Sequence, residues 1–189
     1  KGLTKRNNAI QAHLRSTELS SMEVKEAIRA RRSIRRYKRK ELPLEVLDRL
    51  LEMARAAPSG ANRQAWELVV ITDRLRLKGL VPICKEQAFI GDCSAFLVGV
   101  EDPHQKWAKV DLAIALDHLS LAATEEGLGS CWIGAFDPSR LAEYIGLPPD
   151  RTITVCMALG YPDEAPAPRG RKKPEELFSW DRYGVRERE

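Results

Sequence analysis

The segment from Trp107 to Glu126 sets the strongest constraint on this chain. Its apolar residues, Leu112, Ala113, Ile114, Ala115, Leu116, Leu119, Leu121, Ala122 and Ala123, cover most of a helix's circumference. A helix that is apolar nearly all round must be buried on all sides. In a chain of 189 residues that calls for a sheet on one side. On the other side it calls for a second copy packed across a two-fold axis, with Leu116 expected in that interface.

Short apolar runs supply the sheet. Leu68–Ile71, Ala95–Val100, Cys131–Ile133 and Thr152–Leu159 each read as a strand, the first of them buried. Ser20 followed by Glu23 fits a capping box, opening a helix with Val24, Ala27 and Ile28 on one face. Pro43 stands where a first helical turn tolerates proline, ahead of Leu44, Leu47, Leu50, Leu51 and Ala54 at helical spacing. Asp73 caps a short helix to Leu80, Asp137 or Pro138 opens another to Tyr144, and Gly127 and Gly129 end the long helix. Helices and strands alternate irregularly, which predicts an α+β sandwich. Residues 1–19 read as an N-terminal extension. Residues 20–189 read as a single domain whose proline- and charge-rich tail from Tyr161 is draped over it. Gly127-Leu128-Gly129 lacks the third glycine of a dinucleotide-binding turn and ends a helix instead of opening one.

Net charge is only +4, yet the positive residues cluster. Arg31, Arg32, Arg35 and Arg36 fall within six positions, Lys38 to Lys40 extend them, and Arg169, Arg171, Lys172 and Lys173 form a second group. Guanidinium groups offer paired donors that match phosphate. Two such clusters point to a defined anionic ligand, with a basic anion- or nucleic-acid-binding module as the competing reading. Four cysteines without CxxC spacing and three histidines give no metal pattern, and the cysteines read as reduced and buried. No apolar run approaches a membrane span and residues 1–19 carry no signal-like core, so a cytoplasmic setting is expected, without a membrane partner.

Four stretches resemble the nitroreductase family. They are Arg31-Arg32-Ser33-Ile34-Arg35-Arg36-Tyr37, Pro58-Ser59-Gly60-Ala61-Asn62-Arg63-Gln64-Ala65-Trp66, Gly127 to Gly134, and Gly160-Tyr161-Pro162 with Arg169-Gly170-Arg171 and then Glu175-Glu176-Leu177. They occur in family order. Ala65 departs from the family's usual proline. The resemblance implies a mostly antiparallel sheet flanked by helices, in an obligate, interleaved homodimer. It implies FMN as cofactor and NAD(P)H as electron donor. Arg31, Arg32, Arg169 and Arg171 would hold the phosphate, and Ser33 the ribityl or phosphate oxygens. Arg35 would face N1 and the C2 carbonyl of the ring, where a fixed cation stabilises the reduced state. Pro58, Ser59, Gly60 and Asn62 would reach the partner's flavin, with Gly60 leaving room for the ring. Ile133, Gly134 and Ala135 would lie against the ring, and Gln87 near its pyrimidine edge.

The implied reaction is ping-pong. Hydride passes from NAD(P)H to flavin N5 and on to an electron-poor small molecule such as a nitroaromatic or quinone. Other flavin chemistries, namely dehalogenation, flavin fragmentation and dehydrogenation, remain open on such a scaffold. The cofactor carries the chemistry, so no catalytic side chain is assigned. Asp111 and His118 on the long helix read as capping, interface or surface residues.

Overall fold

The computed structural model describes residues 22–188. Four strands, β1 (Trp66–Ile71), β2 (Ala95–Glu101), β3 (Gly129–Ile133) and β4 (Thr152–Gly160), form one antiparallel sheet in the order β1-β2-β4-β3. Among the described residues six helices surround it: α1 (Val24–Ala30), α2 (Leu44–Arg55), α3 (Arg74–Leu80), α4 (Ala108–Glu125), α5 (Pro138–Ile145) and α6 (Pro174–Leu177).

Strand alternation divides the core into two layers. Ala95, Leu97, Met157 and Leu159 face α2 and α4, meeting Leu47, Leu50, Leu112, Leu116 and Leu119. Phe96, Val98, Cys131, Ile133, Cys156 and Ala158 face the other way, onto Leu77, Leu80, Ile90 and Leu141 from α3, the stretch after it, and α5. β2 is buried along its whole length, as its unbroken apolar run predicts. β1 was expected to be buried, but it is an edge strand, paired among the described residues with β2 alone, and is mostly half-buried.

The all-round apolarity of α4 resolves into two faces. Leu112, Ala115, Leu116, Leu119 and Ala123 are enclosed in the chain's own core. Ala113, Ile114, Leu121 and Ala122 are half-buried, and Val110 is 47% exposed. Leu116 is 0% exposed, so it belongs to the core and not to an outward interface. Sequence periodicity could not assign it, because every side of this helix is apolar.

The helix caps follow local chemistry. The carboxylates of Asp73 and Asp137 accept the N–H groups of Arg76 and Arg140, at 2.8 and 3.1 Å. Glu23 is the N-cap of α1, and the Glu26 carboxylate accepts its N–H at 3.4 Å. The expected cap at Ser20 lies outside the described residues. Only Ala27 of the predicted α1 face is buried; Val24 and Ile28 are exposed. Gly127, with φ +71°, ends α4, whereas Gly129 is already the first residue of β3.

Two stretches without regular structure position the site. The loop after α1 is stitched between β3 and the tail: Ile34 N–H donates to Ser130 O at 3.0 Å, and Asp163 N–H donates to Arg36 O at 2.9 Å. The loop from Asp102 to Trp107 joins β2 to α4 at the sheet's other end. Among the described residues no helix is long and apolar enough to cross a membrane, and no group of His, Cys, Asp and Glu is placed to hold a metal ion.

Candidate cofactor-binding site

The two basic clusters of the sequence meet in space. Arg31, Arg32, Ser33 and Arg35, from the loop after α1, and Arg169 and Arg171, from the tail, line one cleft of ≈ 640 Å³. Ile28, Arg29, Glu164, Pro166, Ala167 and Pro168 complete its wall. The Arg32 guanidinium donates through Nη1 to the Arg31 carbonyl at 2.9 Å, while its buried Nε has no partner among the described residues. A buried donor without an acceptor costs about 1–3 kcal/mol. Six arginines around a single carboxylate, with one buried guanidinium N–H left unsatisfied, fit a phosphate dianion.

Close packing seats the arginine loop on the sheet. A Cβ on Gly129 would lie 2.5 Å from Ile34 Cγ1, so only glycine lets the arginine loop lie against β3. Glu164 is a site residue that sequence reading missed. Its carboxylate accepts the backbone N–H of Arg35 at 2.5 Å, pinning the main chain where the Arg35 side chain leaves it. The partners are 129 residues apart, so no local pattern signals the contact. Beneath the cleft, burial pushes the Cys131 thiol up from its ordinary value, opposed by the Arg35 guanidinium. Cys84, Cys93 and Cys156 are also free, buried and shifted upward, so none is a ready thiolate.

The Pro58–Asn62 stretch forms a tight turn, with a single 3-10 turn at Gly60–Asn62. Ala61, Asn62 and Gln64 all sit at positive φ, 52°, 54° and 52°, a conformation that residues other than glycine rarely adopt. Ser59 Oγ accepts the Gln64 N–H at 3.2 Å, and Gln64 Nε2 donates to Asn62 Oδ1 at 3.1 Å. Gln64 therefore shapes the turn, and the Asn62 amide nitrogen remains the group it can offer outward. The smallness of Gly60 has a cause within the chain: a Cβ there would lie 3.0 Å from Cδ1 of Trp107, which is itself 48% exposed.

Burial changes where β3 ends. Gly134 and Ala135 are exposed, and open space lies where a Cβ on Gly134 would point. Ile133, expected against a ring, turns its side chain into the core beside Cys131, leaving only backbone to a ligand. Gln87 is tied to this loop: its Nε2 donates to Ala135 O at 3.0 Å and to Cys84 O at 2.8 Å.

One chain does not gather all these groups. The Pro58–Asn62 turn is held by Asp111 in the first turn of α4, while the arginine loop lies against Thr124, Gly127 and Gly129 at the far end. Across a helix of 18 residues, the two sets stand about 25 Å apart at 1.5 Å per residue.

The model of the Nitroreductase family matches residues 28–103 and 84–161. A putative NADH dehydrogenase/NAD(P)H nitroreductase from Methanothermobacter thermautotrophicus is 31% identical over 169 residues, covering 85% of this chain and 88% of its own. An NADH dehydrogenase from Thermus thermophilus is 30% identical over 200 residues, covering 86% of this chain and 98% of its own. Among solved structures, the NADPH:FMN oxidoreductase from Vibrio harveyi complexed with NAD+ superposes with a TM-score of 0.79 at 25% identity, covering 85% of this chain and 77% of its own. With the four stretches in family order and this fold around them, the chain belongs to the nitroreductase family.

Proposed function

We propose that this chain is an FMN-dependent oxidoreductase that takes electrons from NAD(P)H and gives them to an electron-poor small molecule, working as a homodimer. The observation that carries the reading is the split site. An arginine cleft with one unsatisfied guanidinium N–H lies at one end of α4, and a strained turn with an outward amide lies at the other. Two copies packed antiparallel through the half-open face of α4 would bring the turn of one to the cleft of the other. Burying Val110, Ala113 and Leu121 there would remove the apolar surface that a lone chain leaves in water.

In this arrangement the residues have separate tasks. Arg31, Arg32, Arg169 and Arg171 bind the phosphate, and Ser33 takes a hydroxyl or phosphate oxygen. Arg35, its main chain pinned by Glu164, presents a positive charge to the pyrimidine edge of the ring. Gly134 and Ala135 offer backbone and no bulk beside it, and Asn62 and Ser59 come from the partner. When bound, FMN supplies two-electron transfer between nucleotide and acceptor in a ping-pong cycle. Relatives of this fold that are named as NADPH:FMN oxidoreductase and NAD(P)H nitroreductase support the cofactor and the donor.

The test is the purified protein reconstituted with flavin. It is expected to hold one FMN per chain, to refuse FAD, and to bleach anaerobically on addition of NADH or NADPH, with colour restored by a quinone or nitroaromatic. A colourless protein that binds nucleic acid in a strongly salt-dependent way would overturn the reading.

A further inference from the structure

Asp111 is a buried carboxylate, 4% exposed, on a helix whose buried face is mostly apolar. Burying a carboxylate is costly unless its oxygens are satisfied. Both oxygens of Asp111 converge on one donor, the backbone N–H of Gly60, each at 3.1 Å. That donor opens the turn in which Ala61, Asn62 and Gln64 are held at positive φ. Strained backbone of this kind persists only where its surroundings over-determine it. Two contacts do so at Gly60: the Asp111 carboxylate on its N–H, and the Trp107 side chain on its Cα. Both come from the start of α4, so the helix that divides the two halves of the site also sets the shape of one half.

We propose that Asp111 is the positioning residue of the Pro58–Asn62 turn, holding Gly60 so that Asn62 is presented in the one conformation that serves a bound flavin. The role rests on the FMN reading above. Asp111 does not touch the cofactor; it acts through the Gly60 N–H. The charge-assisted hydrogen bond fixes where the chain enters the turn, and the left-handed residues follow from that entry point.

Three full-length variants test this with two measurements. Asp111→Asn keeps an acceptor oxygen for Gly60. Asp111→Ala removes it, and Asp111→Leu removes it while filling the space in an apolar setting, so at least one folded protein without the acceptor is available. The first measurement needs no flavin: the initial rate of trypsin cleavage after Arg63, followed by mass spectrometry on the apoprotein, reports how firmly the turn is held. The second is FMN affinity from flavin fluorescence. Without the acceptor, cleavage after Arg63 is expected to rise about tenfold or more and FMN affinity to fall about tenfold or more, whereas Asp111→Asn stays within about threefold of wild type in both. Wild-type cleavage and FMN binding in Asp111→Leu would overturn the role and leave the FMN reading standing. A wild-type protein that takes up no FMN would overturn both.

Discussion

If each flavin site draws its arginine cleft from one chain and its Pro58–Asn62 turn from another, two differently damaged chains should repair each other. The first variant is Arg32→Ala with Arg169→Ala. It removes two charge-assisted hydrogen bonds to phosphate, each about 1.5–3 kcal/mol, so Kd for FMN should rise by at least about two decades. The second is Asn62→Val. It deletes the amide and places a β-branched side chain at φ 54°, where strain adds about 1–3 kcal/mol to the lost bond. Each variant alone should be nearly colourless at an FMN concentration that saturates wild type. Co-expressed in equal amounts, random pairing makes about half the dimers mixed; each mixed dimer has one intact site and one doubly damaged one, so about a quarter of all sites should refill. Separable tags and flavin absorbance in the sedimenting dimer measure this directly. The expectation follows from the length of α4, which keeps the two half-sites of one chain about 25 Å apart. A co-expressed sample no yellower than the separate variants would refute the shared site and return the whole cradle to one chain.

Two further outcomes follow from the site and the core. Arg35→Ala should lower the flavin reduction potential by about 30–60 mV, the equivalent of one charge-assisted hydrogen bond to the reduced state, while FMN binding weakens less; a potential unchanged within about 10 mV would show that Arg35 does not face N1. Alkaline pH should destabilise the fold. Burial raises Cys84 to about 11 and Cys93 to about 12 from an ordinary 9.0, and raises Cys156 too, so the folded state keeps protons that the unfolded chain releases. Their contribution is whole below pH 9 and is lost as pH climbs toward the folded values, at about 1.4 kcal/mol per pH unit for each thiol. Urea unfolding at pH 8, 9.5 and 10.5 measures it, and a flat response above about pH 9 would contradict the burial argument.

Much of the fold was legible because its signals are local. The apolar run of β2, the caps at Asp73 and Asp137, and the break at Gly127 each need only a few neighbouring residues. The two basic clusters that line the cleft were legible too, since their arginines stand out as dense runs in the sequence. What escaped was set by tertiary contact. Glu164 reaches Arg35 across 129 positions and Asp111 reaches Gly60 across 51, and neither carboxylate stands in a pattern that announces its partner. The inward turn of the Ile133 side chain was not legible either, because alternation says which residues share a face of a strand, not which face meets the core. The half-buried state of β1 depends on its place at the edge, which strand composition does not encode. The N-terminal extension, residues 1–19, lies outside the described residues.

The two ends of α4 differ in how much change in chain length they can absorb. At its C-terminal end a turn of few residues delivers Gly129 against Ile34, with no space for even a methyl group, so lengthening it would move the arginine loop and the strand together. At its N-terminal end the loop of residues 102–107 is exposed at Pro103, His104 and Lys106, and only its first residue touches the sheet's end, where Asp102 N–H donates to Ala65 O at 3.1 Å. Doubling a flexible loop costs only about 0.6 kcal/mol in closure entropy. Extra residues near His104 would therefore leave the scaffold intact while standing beside Trp107 and the Gly60 turn. That makes the loop a natural graft point, where segments of differing length and polarity could recast which acceptors reach the flavin.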